Sequence, residues 1–169
     1  HNGSRGLGDV YKRQGYCFGV GFEFSLACDF RIVTKDSQLS LPEMKIGMIP
    51  GSGGSARLAK MIGISRTKNI IMRGKRLSGE EAYQLGIACE IVEKSELENM
   101  TKKIVKELIS VSPLAQRTIK SVLNATQNAT LHTSIDLEGE AYGRLRSSND
   151  FKEGVESFSE KRPPSYKGN

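Results

Sequence analysis

The sequence predicts an α/β core followed by a helical C-terminal region, and three observations carry that prediction. From Gly15 to residue 93, short apolar and β-branched runs alternate with glycine breaks and short helix-like segments. From residue 94 onward, apolar residues recur at helical spacing, as in Leu97, Met100, Ile104 and Leu108. Before that transition, Ser78-Gly79-Glu80-Glu81 is a capping box that starts a helix running to Leu85 and closed by Gly86.

The chain has 169 residues, enough for one domain with a real core. Its 37% hydrophobic and 26% charged residues exclude a disordered or fibrous protein. No apolar run approaches the roughly 20 residues that span a bilayer, so no membrane role is expected. The net charge is +6, of which the first fourteen residues carry +2 through Arg5, Lys12, Arg13 and Asp9. The remaining basic residues are scattered among acidic ones, which argues for a solvated surface with some use for a phosphate-bearing ligand, and against nucleic acid as a partner. Cys17, Cys28 and Cys89 have no metal-ligand spacing; buried, reduced thiols in a cytoplasmic protein are expected.

Residues 1–14 (HNGSRGLGDVYKRQ) show neither a period of 2 nor of 3.6. The chain opens with His1 rather than Met, and the patterning changes abruptly at Gly15. This segment is expected to be a foreign leader, outside the fold. Residues 15–93 then form the core and 94–169 the helical region.

Within the core, Phe22 to Cys28 reads as a buried helix led by Gly19-Val20-Gly21, and Phe30 to Thr34 as a strand. Leu39 to Glu43 is extended or turning because of Pro42. Pro50-Gly51-Ser52-Gly53-Gly54 is a break, followed by helices over 55–62 and 65–72, and Ile87 to Val92 is a second strand. In the helical region Ser112-Pro113 opens one helix. Leu131, Ile135, Tyr142 and Leu145 stripe a second, and Phe151, Val155 and Phe158 a last one. These stripes are core or subunit-contact faces.

Three features reach beyond generic fold. Gly19-Val20-Gly21 starts a helix, where free N–H groups and the positive end of the dipole favour an anion or a developing oxyanion. Its spacing matches neither dinucleotide nor P-loop fingerprints. Glu23 lies between Phe22 and Phe24, and Glu43 follows Pro42 beside Leu41, Met44 and Ile46. A carboxylate in apolar surroundings is costly unless it is paired, bonded or used. Each therefore reads as either a structural, paired glutamate or half of an acid–base pair that moves protons through one water. His132 falls on an amphipathic stretch and reads as a surface or packing residue.

Gly15 to Ile32 (GYCFGVGFEFSLACDFRI) closely resembles the signature of the crotonase, or enoyl-CoA hydratase/isomerase, family. Leu41-Pro42-Glu43, Gly47, Pro50 to Gly54, Gly74 to Ser78, Ala82 to Gly86 and Glu160 to Pro164 continue the likeness in register. The resemblance implies a crotonase-like fold of ββα repeats, shortened at its N-terminus, with the helical region serving trimerisation. It implies that Glu23 and Glu43 flank one catalytic water, that the Val20 N–H is one of two oxyanion donors, and that Gly21 begins the supporting helix. The family often has glycine where Val20 stands, but only the amide is needed. Tyr142 and Lys161 fall where the family approaches CoA.

The implied reaction is syn addition of water to a 2-enoyl-CoA thioester. No metal or resident cofactor is implied, coenzyme A being part of the substrate; a homo-oligomer, trimer or hexamer, is. Isomerisation or other CoA-thioester chemistry, and a non-catalytic or RNA-binding homologue, are the alternatives. The family's second oxyanion donor comes from an upstream Ala-Gly loop with no counterpart in 1–14, so this chain alone is expected to be nearly inactive.

Overall fold

The computed structural model of the chain describes residues 10–169, which fall into two compact units divided between Lys103 and Ile104. The first unit contains two small sheets. In one, β3 (Phe30–Thr34) lies between β1 (Val10–Arg13) and β6 (Glu90–Val92), all parallel. In the other, β4 (Gln38–Ser40) pairs parallel with β2 (Tyr16–Phe18) and antiparallel with β5 (Arg76–Ser78). The helices of this unit are α1 (Val20–Ala27), α2 (Gly54–Ile62), α3 (Ile64–Ile71) and α4 (Gly79–Gln84). Phe22, Leu26, Leu39, Leu58, Leu77 and Ile87 form the centre of one buried apolar cluster that joins strands and helices.

Strand β1 falls inside the segment expected to lie outside the fold. Val10 to Arg13 pair residue by residue with Phe30 to Val33, although VYKR carries no clear alternation. Its membership comes from ladder hydrogen bonds, which any non-proline backbone can make. The rest of the expected leader, 1–9, lies outside the described residues. Strands β2 and β5 are three residues each, too short for a period to show, yet they place Cys17 and Leu77 in the core. The strand expected over Ile87 to Val92 begins only at Glu90. The N–H groups of Ile87 and Ala88 turn back to Ala82 O instead, closing α4 around left-handed Gly86. The capping box of α4 is as read: Ser78 Oγ accepts from Glu81 N–H, and the Glu81 carboxylate accepts from Ser78 N–H.

Helix α5 (Leu97–Ile109) crosses the division between the units. The second unit contains α6 (Pro113–Thr126), α7 (Leu131–Arg146) and α8 (Asn149–Ser159). Each of these three has a Ser or Thr N-cap accepting from a first-turn amide, with Pro113 opening α6. The stripe residues Leu131, Ile135, Tyr142, Val155 and Phe158 stand exposed, so they are not core. The cysteines divide: Cys17 is buried, Cys28 half-buried and Cys89 exposed, where burial of all three was expected. His132 is at the surface beside Asp136.

Candidate active site

Gly19 is the pivot of the site. Its φ of 55°, a left-handed value that glycine tolerates best, turns the chain from β2 into α1. Its N–H donates to Ser40 O at 3.0 Å, anchoring the turn to β4. Its carbonyl accepts from Phe22 and Glu23 N–H at 2.9 and 3.0 Å. No side chain caps α1, so the N–H groups of Val20 and Gly21 begin the helix without an intrahelical acceptor. The Val20 side chain is 67% exposed at that end.

Glu23, the fourth residue of α1, is 2% exposed. Its Oε1 accepts from Ser52 N–H at 2.8 Å and Gly54 N–H at 2.9 Å, at the N-terminus of α2. Backbone donors at a helix start suit a carboxylate, and here they fix its direction. The loop that supplies them is itself shaped by left-handed Gly53 (φ 90°) and braced by Arg57 Nη1, which donates to Ser52 O at 2.9 Å.

Glu43 opens a single 3-10 turn, Glu43–Ile46, ended by left-handed Gly47. Its carboxylate reaches back to the pivot: a Cβ placed on Gly19 would lie 3.1 Å from Glu43 Oε1. Glu43 Oε2 is shielded from solvent, and no donor among the described residues reaches it.

The Glu43 carboxylate thus lies against Gly19, next to Val20 and Gly21, while the Glu23 carboxylate lies on the Ser52 and Gly54 amides. Phe22 is fully buried, whereas Phe24 is 61% exposed, so the apolar flank of Glu23 is one-sided. The other two candidates lie in the second unit. Tyr142, on α7, is exposed with Arg146 over its ring at 5.9 Å. Lys161 follows α8 with a φ of 55°, the only positive value at a non-glycine among the described residues. The sequence reading missed the Ser52 and Gly54 donors; the Gly53-Gly54 pair was their visible trace.

A buried carboxylate held by amides and a second carboxylate with an unpartnered oxygen are groups that can move protons, and an open helix start can favour an anion. Residues 11–169 match the enoyl-CoA hydratase/isomerase family, and the chain belongs to it. It is 32% identical over 148 residues to a short-chain-enoyl-CoA hydratase of Clostridium acetobutylicum, covering 88% of this chain and 57% of that protein. It is 35% identical over 165 residues to a carnitinyl-CoA dehydratase of Salmonella agona, covering 91% and 60%. The crystal structure of an enoyl-CoA hydratase from Bacillus anthracis superposes with a TM-score of 0.89 at 38% identity, over 92% of this chain and 60% of that one. The chain therefore spans about three fifths of the length of these relatives.

Proposed function

We propose that the protein hydrates 2-enoyl-CoA thioesters by syn addition of water. The contacts of the two glutamates support this reading, Glu23 buried on two backbone amides and Glu43 against Gly19 with one shielded, unpartnered oxygen. Glu23, fixed as an acceptor by Ser52 and Gly54, takes a proton from water as the water oxygen bonds to Cβ. Glu43, with its unpartnered Oε2, delivers a proton to Cα. One water is consumed: one of its hydrogens stays on the new Cβ hydroxyl, the other passes to Glu23, Glu43 gives the proton of the new Cα–H bond, and a proton returned from Glu23 to Glu43 resets the pair. The Val20 N–H, at the positive end of α1, stabilises the enolate oxygen that forms between the two steps.

The similar hydratase and dehydratase run this kind of addition in its two directions, which favours hydration over isomerisation. CoA would be held in part by Tyr142 and Lys161. The exposed apolar stripes of α7 and α8 fit a homo-oligomer of three or six copies. No described helix is long and apolar enough to cross a membrane, and we place the enzyme in the cytoplasm.

The test is loss of enoyl-thioester absorbance from crotonyl-CoA, using the protein as its gene encodes it. Glu23→Gln and Glu43→Gln should each lower kcat by about 10²- to 10⁴-fold. Full activity in either variant removes that glutamate from the mechanism. Turnover of a 3-enoyl substrate without hydration of the 2-enoyl one would make the enzyme an isomerase.

A further inference from the structure

We propose that Arg31 is a positioning residue for this reaction: it fixes the C-terminal end of α1, and thereby the place of the Val20 amide at the other end and of the Glu23 carboxylate between the two. The inference rests on the hydratase reading.

Arg31 is only 8% exposed, an unusual place for a guanidinium. Its Nε donates to Ile87 O at 2.5 Å, while Nη1 donates to Ser25 O at 3.3 Å and also to Cys28 O. Ser25 and Cys28 are the last-turn and capping residues of α1, whose carbonyls carry the negative end of the helix dipole. One planar side chain thus ties three segments: β3, on which it stands, the end of α1, and the connection after α4. The backbone of Arg31 reinforces this, since its carbonyl accepts from Cys89 N–H at 2.8 Å.

Helix α1 is eight residues long, so its two ends are rigidly coupled. Its start is held by Gly19 N–H to Ser40 O, and its middle by Glu23 on the α2 loop. Without the guanidinium, Cys28 O loses the Arg31 donor and Ser25 O keeps the Cys28 N–H alone of the two, so the tie from the helix end to β3 is gone and the helix can slide or tilt. A displacement of about 1 Å at a reacting group costs on the order of 10²-fold in rate. Lysine is a poor replacement because a single ammonium cannot reproduce the planar fork.

Arg31→Lys and Arg31→Gln are the variants, the first retaining the charge and the second a planar N–H donor. Both are assayed with crotonyl-CoA beside the unaltered protein, per folded molecule as measured by circular dichroism. The expected result is a kcat lowered about 10- to 100-fold with KM within about threefold, Lys retaining more than Gln. A non-reacting saturated acyl-CoA should bind unchanged. Unaltered kcat in either folded variant, with only the melting temperature reduced, overturns the positioning role. So does a KM effect that equals or exceeds the kcat effect. If the unaltered protein does not hydrate crotonyl-CoA, the hydratase reading fails first, and this inference with it.

Discussion

Gly54 lies so close to Glu23 that a Cβ added to it would fall 2.7 Å from Glu23 Cγ and 2.9 Å from Oε1. The glycine has an ordinary backbone conformation, so its smallness rather than its flexibility is what the site uses. The same residue donates its N–H to the carboxylate it touches. Gly54→Ala should push Glu23 off its two amides and lower kcat by about 10²-fold. Because the damage passes through Glu23, the alanine should cost little further rate when Glu23 is already glutamine. Additive losses in the double variant would break the link.

Gly19 faces a comparable constraint from Glu43. At φ 55° and ψ -129° any side chain costs on the order of 1–3 kcal/mol, and its Cβ would meet Glu43 Oε1 at 3.1 Å. Gly19→Ala should therefore lose stability and activity together, seen as a lower denaturation midpoint and a lower kcat. A stable but inactive variant would mean that the carboxylate contact outweighs the backbone strain.

These two glycines show which parts of the site the sequence carried. Glu23 and Glu43 stood out because a carboxylate amid Phe22, Leu41 and Met44 needs a reason, and the crotonase-like signature supplied one. The helix start at Gly19-Val20-Gly21 and the Ser78 capping box were legible because both are local, written within a few residues. The Ser52 and Gly54 amides that hold Glu23 were not, since a backbone N–H is present at almost every residue and its target is set by tertiary folding. Strands β1, β2 and β5 were hidden for a similar reason. Three- and four-residue strands are too short for alternation, and Val10–Arg13 owes its place to pairing with β3. Arg31 read as one basic residue in a strand, and only the fold shows three carbonyls around it.

Lys161 terminates α8 in a position made for glycine. Its N–H donates to Phe158 O and that of Arg162 to Ser157 O, the paired bonds of a left-handed helix end. Lys161→Gly should relieve the strain and stabilise the protein by about 1 kcal/mol, measured by denaturant unfolding. If the ammonium meets CoA, the same variant should raise KM for the thioester with kcat unchanged. A gain in stability with no change in KM would leave Lys161 outside the CoA site.

Acid should loosen the tail that follows Lys161. The Glu153 carboxylate accepts from Arg162 Nη1 and Nη2 at 2.6 and 3.0 Å and from Ser165 N–H at 2.6 Å. The Arg162 bonds, then the Ser165 amide, pull its pKa from 4.5 down to about 2. Nearby Asp150 is shifted the same way: burial opposes ionisation, but donors from Ser112, Lys167, Gly168 and Leu114 outweigh it. Folding lowers both values, so the stabilisation is complete above the ordinary carboxylate pKa. It is lost as pH falls from about 4.5 through about 2 for Glu153. The melting temperature should fall across that window, and the Ser165 amide should lose its protection from hydrogen exchange. Glu153→Gln should flatten the slope and lower stability near neutral pH modestly, since the pair is only half-buried and solvent screens it. An unchanged slope in that variant would assign the acid sensitivity to Asp150 instead.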